Sequence, residues 1–318
     1  MLLRYAHPRR KICREPGLTK DSGLKSKATL LLSLTMLCYA SNHVIGRAVH
    51  TDLPPMGLSF WRWVCGALIL LPFVAPRLAR LWPLYREHWR VLALLGLLIV
   101  GSTTLVLLGL NFTTATNTSL INATQPTITA LLCWLFLGDR LRSWQWLGIV
   151  IAFSGISLML LQGDLRVLRE LDFNPGDLVV LLAMFGFAAY GINIRRIPAD
   201  FHVTESLFAI IVLGLVPLLP VYLVETVVYR PVPVSTESVL AVVVLALLVS
   251  VLGMLMWTRG NQLIGPNRAA IYVNLLPLFG ALLAVIFLGE TIRGYHIAGG
   301  LLIGSGMWLA LRQKQAGA

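Results

Sequence analysis

The sequence predicts an all-α membrane protein, with ten transmembrane helices arranged as two inverted five-helix repeats. Three observations carry that expectation. First, 57% of the 318 residues are apolar and only 13% are charged, with a mean hydropathy of +0.78, whereas about a quarter of an ordinary globular chain is charged. Second, apolar runs of about 20 residues recur from Ala28 to Leu311, and about 20 residues at 1.5 Å rise cross a ~30 Å hydrocarbon core. Third, residues 151 positions apart restate one another across the two halves. A soluble fold of this size needs a polar coat, and this chain has too few charges to make one.

In chain order, residues 1–27 form a basic tail. Arg4, Arg9, Arg10, Lys11, Arg14, Lys20, Lys25 and Lys27 outweigh Glu15 and Asp21, which holds the N-terminus in the cytoplasm. Adhesion to the anionic lipid of the bilayer is the other use of such a tail. The first repeat, 28–162, holds spans at 28–48, 56–75, 90–110, 116–137 and 144–162. The second, 176–311, holds spans at 176–196, 204–224, 238–258, 267–288 and 294–311, and a cytoplasmic C-terminus follows at 312–318. With both termini inside, the cytoplasmic segments carry 20 of the 26 Lys and Arg residues. The outer ones carry five (Arg47, Arg166, Arg169, Arg230 and Arg293), and Arg62 lies within the second span. That bias sets the orientation, and an odd number of spans would destroy it.

The repeat is read from residue pairs. Pro126 aligns with Pro277, Phe136-Leu137-Gly138-Asp139 with Phe287-Leu288-Gly289-Glu290, Gly148 with Gly299, and Ser154-Gly155 with Ser305-Gly306. The same offset takes Tyr39 to Tyr190, Asn42 to Asn193 and Gly109 to Gly260. A register shared over five spans argues for duplication. Five is odd, so the two copies enter the membrane in opposite directions, the plan on which many secondary transporters alternate access.

These motifs resemble the EamA family of the drug/metabolite transporter superfamily. The pattern reads Asn117…Pro126…Phe136-Leu137-Gly138-Asp139…Gly148…Gly155, then Asn267…Pro277…Phe287-Leu288-Gly289-Glu290…Gly299…Gly306. It covers nearly the whole chain from about residue 28 to 311. The resemblance implies a ten-helix exporter of small metabolites, amino acids or drugs. It also implies a cavity lined by the first, third and fourth helices of each half, with the fifth helices peripheral. The basic tail and Asp139, where Glu is commoner, depart from the family pattern.

Candidate site residues follow from polarity inside apolar spans. Thr118, Asn122, Gln125 and Thr129 fall at helical spacing along one side of the fourth span. An amide left unpaired in hydrocarbon costs several kcal/mol, so this stripe faces a cavity or another helix. Pro126 and Pro277 are expected to kink the fourth and ninth spans and free a carbonyl, and Asn267 and Asn274 are expected to share a face near the second kink. Tyr39 and Asn42, repeated as Tyr190 and Asn193, are expected to meet near helix centres about the pseudo-twofold axis, where transporter sites lie. Trp257 and Tyr272 either give a ligand an apolar surface or anchor the chain at headgroup depth. Arg62, the one cation well inside a span, either binds a substrate carboxylate or a helix carbonyl, or snorkels outward. His43 either carries a proton or packs as a hydrogen-bonded side chain.

The Phe-Leu-Gly-acid motifs read as punctuation, Gly138 and Gly289 ending one helix and the acid sitting at the start of the next. Gly148 with Gly155, and Gly299 with Gly306, make smooth stripes for close helix packing, and a homodimer could use them as readily as a monomer. The cysteines show no CxxC spacing, and Cys38, Cys65 and Cys133 lie in apolar runs, so neither a disulfide framework nor a metal site is expected. No folded basic face points to nucleic acid. The chain has no GxSxG, HExxH, aspartate-rich or P-loop motif, which argues against a membrane-embedded enzyme and against ATP-driven transport. No cofactor is implied. The expected function is therefore a secondary transporter of the cell membrane, exporting a small metabolite or amino acid by alternating access. A nucleotide-sugar or lipid-moving carrier of the same superfamily is the alternative.

Overall fold

The computed structural model describes residues 22–49, 54–113, 115–139, 141–164, 174–229, 231–233, 235–288 and 293–311. The Asn42 and His43 side chains lie outside the described set. Every regular element among the described residues is helical. Seven stretches are long and apolar enough to cross a membrane: Pro55–Gly109, Thr118–Leu137, Ser143–Leu160, Pro175–Arg196, Val203–Val228, Thr236–Ile264 and Pro266–Phe287. Large apolar side chains such as Phe73, Phe136, Leu178, Val216 and Phe287 face outward, a surface suited to lipid and not to water.

Helix α1 (Ser22–Val49) begins before the expected position 28 and takes Lys25 and Lys27 into its first turns. Helix α2 (Pro55–Val74) passes through a 3-10 turn, Ala75–Arg77, into α3 (Leu78–Gly109). Helix α3 starts well before the expected 90, because its early residues have packing of their own: Tyr85 stacks on Phe201 at 5.3 Å and Leu81 is buried. Next come α4 (Ala115–Asn122), α5 (Gln125–Leu137) and α6 (Ser143–Leu160). Gly138 closes α5 in the left-handed region at φ 71°, as its position after the apolar run predicts. The following acid does not cap α6, because there the Gln145 side chain accepts the Arg142 N–H at 2.9 Å. Gly289 lies outside the described residues.

The second half contains α7 (Pro175–Asn193) and α8 (Val203–Val228). Helix α9 (Thr236–Leu245) then widens into a π-helical stretch, Ala246–Gly253, and continues as α10 (Met254–Ile264). Helix α11 (Pro266–Ile271), a 3-10 segment Tyr272–Leu275, α12 (Leu276–Leu288) and α13 (Gly294–Leu311) complete the order.

The proline kink expected in the fourth span is a two-residue interruption between helices, and that expected in the ninth is a change of helix type within a continuous helical run. Helix α4 stops at Asn122, the residue whose carbonyl the Pro126 ring would strike, and α5 restarts with Pro126 in its first turn. The Thr124 hydroxyl donates to the Ile121 carbonyl at 2.6 Å, which also accepts the Thr124 backbone N–H at 3.0 Å. At Pro277 the same offset gives a 3-10 segment followed by a new helix. Pro72, Pro83, Pro217 and Pro220 sit inside unbroken helices, so proline alone does not break the chain. The stripe Thr118, Asn122, Gln125 and Thr129 therefore spans two helices, not one face. Likewise Asn267 lies on α11 and Asn274 in the 3-10 segment that follows it.

Packing relates the halves. Helix α1 lies on α10 and α12, as α7 lies on α3 and α5. Helix α2 packs against the π-helical stretch, as α8 packs against α3, and α2 and α8 meet each other. The glycine stripes meet within the chain. A Cβ on Gly155 would stand 2.6 Å from the Gly299 carbonyl oxygen, and one on Gly306 would stand 2.5 Å from that of Gly148. Helices α6 and α13 thus run antiparallel with backbones in contact, and their stripes are taken up by this seam. Both ends of α2 are tied to α8. Glu225 accepts the Met56 and Gly57 amides at 3.1 and 2.7 Å, and Arg77 pairs with Glu205 at 3.3 Å.

Candidate functional site

The polar side chains the fold brings together line the contact of α1, α2, α7 and α10. Tyr39 on α1 donates its hydroxyl to the Met254 sulfur at 3.1 Å. Its ring presses on Gly253 so closely that a Cβ there would stand 2.7 Å from Tyr39 Cε1. Only glycine allows that approach, and it sits at the end of the π-helical stretch. Tyr190 and Arg62 both lie within electrostatic reach of Tyr39. Arg62 is 3% exposed and its guanidinium is 5.3 Å from the Trp63 ring centroid, so it does not snorkel to a surface. Trp63 is anchored in turn by its indole N–H, which donates to Thr103 at 3.2 Å.

From this centre the wall continues along α10. The Tyr190 hydroxyl lies 3.5 Å from that of Thr258. Asn261, one turn further on, has no exposed surface, and neither its amide nitrogen nor its amide oxygen has a hydrogen-bond partner. A buried unpaired polar group costs roughly 1–3 kcal/mol, so this amide is a destabilising feature of the resting protein. Ser250, buried in the π-helical stretch, leaves its hydroxyl equally unpaired. The break between α4 and α5 adds Asn122, whose side-chain oxygen is buried without a partner, and Gln125, half-buried at the start of α5.

The other expected residues fall elsewhere. Asn193 ends α7 and donates to Ala189 of its own helix at 2.7 Å, so it is neither near a helix centre nor turned toward Tyr39. Tyr190 likewise sits in the last turn of α7. Tyr272 is buried and its hydroxyl meets Thr29 near the start of α1 at 2.7 Å. Trp257 and Asn274 are also buried, so neither aromatic is a headgroup anchor. Asn42 lies outside the described side chains. Thr258, Asn261 and Ser250 were not among the expected site residues. A span ending at 258 leaves Asn261 in a loop, and the signal that could have found it is the run Trp257, Thr258, Asn261 at helical spacing ahead of Gly265.

A separate hollow of about 460 Å³ opens between the α2–α3 bend and the start of α8. Arg77, Arg80, Leu81, Leu84, Asp200, His202 and Glu205 line it, and none of the expected site residues reaches it. Glu205 is held there by the His202 amide at 2.9 Å as well as by Arg77.

Apolar helices wrapped around a buried polar wall define an integral membrane protein, and comparison with known proteins makes that protein a transporter, not an enzyme. The model of the EamA-like transporter family matches residues 26–161 and 174–312; the chain belongs to that family. It is 30% identical over 216 residues to the uncharacterized transporter YyaM of Bacillus subtilis (strain 168), covering 67% of this chain and 69% of that one. It is 28% identical to an uncharacterized transporter of Archaeoglobus fulgidus, covering 92% and 99% respectively. A protein of Rickettsia bellii named as an S-adenosylmethionine uptake transporter is 26% identical over 178 residues, 56% of this chain and 57% of that one. A solved crystal structure aligns over 90% of this chain and 96% of its own with a TM-score of 0.69 at 19% identity, a likeness of fold.

Proposed function

We propose that the chain is a secondary carrier, ten spans in two inverted five-helix repeats with both termini in the cytoplasm, that moves a small polar metabolite by alternating access without ATP. The span count is supported by dividing the 55-residue stretch Pro55–Gly109 at its 3-10 turn and adding α1 and α13 to the other six. The observation that carries the reading is the α6–α13 seam. Gly155 meets Gly299, the 151-offset counterpart of Gly148, and Gly148 meets Gly306, the counterpart of Gly155. Antiparallel packing in which each residue meets the partner's counterpart is what a twofold axis lying across the helices produces, and two halves related by such an axis can exchange conformations.

The substrate contacts in this reading are Arg62 for a carboxylate, Tyr39 and Tyr190 for polar groups, and Asn122 with Gln125 at the broken helix. The substrate is an amino acid or an amino-acid-bearing metabolite, in keeping with the S-adenosylmethionine named for the Rickettsia relatives. Among the described residues Asp177 and Glu205 lie in first turns and Glu225 in the last turn of α8, while Glu87, inside α3, has an exposed side chain. Without an acid deep in a span, flux follows the solute gradient. A metabolite made in the cell is exported, and the same cycle reversed gives uptake.

The test is export profiling combined with reconstitution. Cells overproducing the protein should accumulate one class of metabolite outside, and proteoliposomes should exchange that metabolite without nucleotide. Strict ATP dependence, or no exchange of any solute, would sink the carrier reading.

A further inference from the structure

We infer that Asn261 is a specificity-determining residue of the same site, one that recognises a planar substrate group presenting a hydrogen-bond donor and acceptor side by side. The inference rests on the carrier reading above and adds the chemistry of the solute. A carboxamide side chain offers one acceptor oxygen and a donor nitrogen in one plane. In Asn261 both are buried and both lack a partner, although the position has no exposed surface at all. A purely structural amide at such depth is bonded on at least one side. The amide nitrogen faces α7 at Gly191, where a Cβ would stand 3.4 Å from it, so the facing helix presents bare backbone at that point. Thr258 and Trp257 share the same side of α10 at helical spacing, and Tyr190 closes the wall.

A carboxylate carries only acceptors and an ammonium only donors, so neither satisfies both ends of this amide. A carboxamide does, and so does the amino-bearing edge of an adenine, which carboxamide side chains grip bidentately. Both sources share the donor–acceptor edge. The flanking aromatics, Tyr190 and Trp257, suit the flat base.

The experiment uses the full-length protein in proteoliposomes with labelled adenosine and labelled glutamine as probes, and purine riboside as competitor. Purine riboside keeps the purine shape but lacks the amino donor. The expected result is that at least one probe exchanges and that Asn261→Leu lowers its initial rate tenfold or more. If adenosine is the probe that moves, purine riboside should compete at least tenfold less well than unlabelled adenosine. Gly191→Ala, which puts a methyl group in front of the amide with ordinary contact, should lower the rate in the same way while the melting temperature stays unchanged. That variant decides the matter if Asn261→Leu does not fold. Wild-type rates in both variants, or equal competition by purine riboside against adenosine, would overturn the inference. Protein that exchanges its own export-profiled metabolite but ignores both probes overturns the Asn261 assignment alone. Protein that exchanges no solute overturns the carrier reading, and this inference with it.

Discussion

The α6–α13 seam and the wall along α10 both lie in the part of the chain where residues recur at an offset of 151, yet only the seam brings recurring residues into contact. In the seam, glycine faces glycine through each pair's counterpart, and the side-chain hydrogen bond across it is a long one at its edge, from Gln145 to the Ala310 carbonyl at 3.5 Å. The wall has α3 as its first-half counterpart. On α3 the Thr103 and Thr104 hydroxyls bond carbonyls of their own helix at 2.7–3.0 Å, and Ser59 meets Thr104 at 2.9 Å. On the second-half helix a π-helical stretch intervenes, and Ser250 and Asn261 are left without partners. An extra residue in one turn rotates everything that follows, and such stretches collect at functional sites. The contrast teaches that residues recurring at the offset supply matched packing surfaces, whereas the unpaired polar groups sit where the sequence does not recur: Ile99 and Leu110 stand at the positions offset from Ser250 and Asn261.

The largest expected effect tests the seam. Gly155→Leu forces a side chain against the Gly299 carbonyl and Leu302, and neither backbone can retreat. A loss of about 3 kcal/mol is expected, read as a lowered melting temperature and loss of a monodisperse peak in detergent. A neutral result would mean the seam is looser than two glycine stripes in contact.

Arg62→Leu tests the wall at its charged end. It should cut exchange of carboxylate-bearing solutes at least tenfold while leaving membrane insertion intact, and unchanged rates would remove Arg62 from the site. Asn122→Leu should reduce exchange severalfold for the same reason, since its unpaired oxygen is the polar atom the α4–α5 break presents.

Smaller effects sharpen the comparison. Tyr190→Phe removes one hydroxyl from a long contact with Thr258, worth about 1 kcal/mol or less to stability, and a fewfold rise in KM is expected. Thr103→Val on α3 removes a hydroxyl already satisfied by its own helix but leaves the Trp63 indole N–H without its acceptor. Stability should fall by about 1 kcal/mol, with exchange within twofold of wild type. A larger loss of exchange from Thr103 than from Tyr190 would move the working wall from the α7–α10 contact to α3.

Much of the fold was legible in the chain because hydropathy reports how much apolar surface a segment presents. The seven apolar stretches fall where spans were expected, with Pro55–Gly109 covering two of them. Starts were less legible. Helix α3 runs back to Leu78 because Tyr85 finds Phe201, a partner more than a hundred residues away. Site residues were the least legible. Tyr39 and Arg62 stand out as polar groups in apolar runs, but Asn193 looked equivalent to Asn42 and turned back to its own helix. Asn261 was hidden by a span boundary placed where the apolar run, not the helix, ended.

Composition and hydropathy periodicity were enough to specify an all-helical membrane chain, because each depends only on local side-chain chemistry repeated at a fixed interval. Whether a proline bends or breaks its helix, where a turn widens, and which buried amide goes unpartnered were decided in three dimensions. Each depends on what a neighbouring helix offers to a freed carbonyl, a crowded ring or an orphaned donor, and no single segment carries that information.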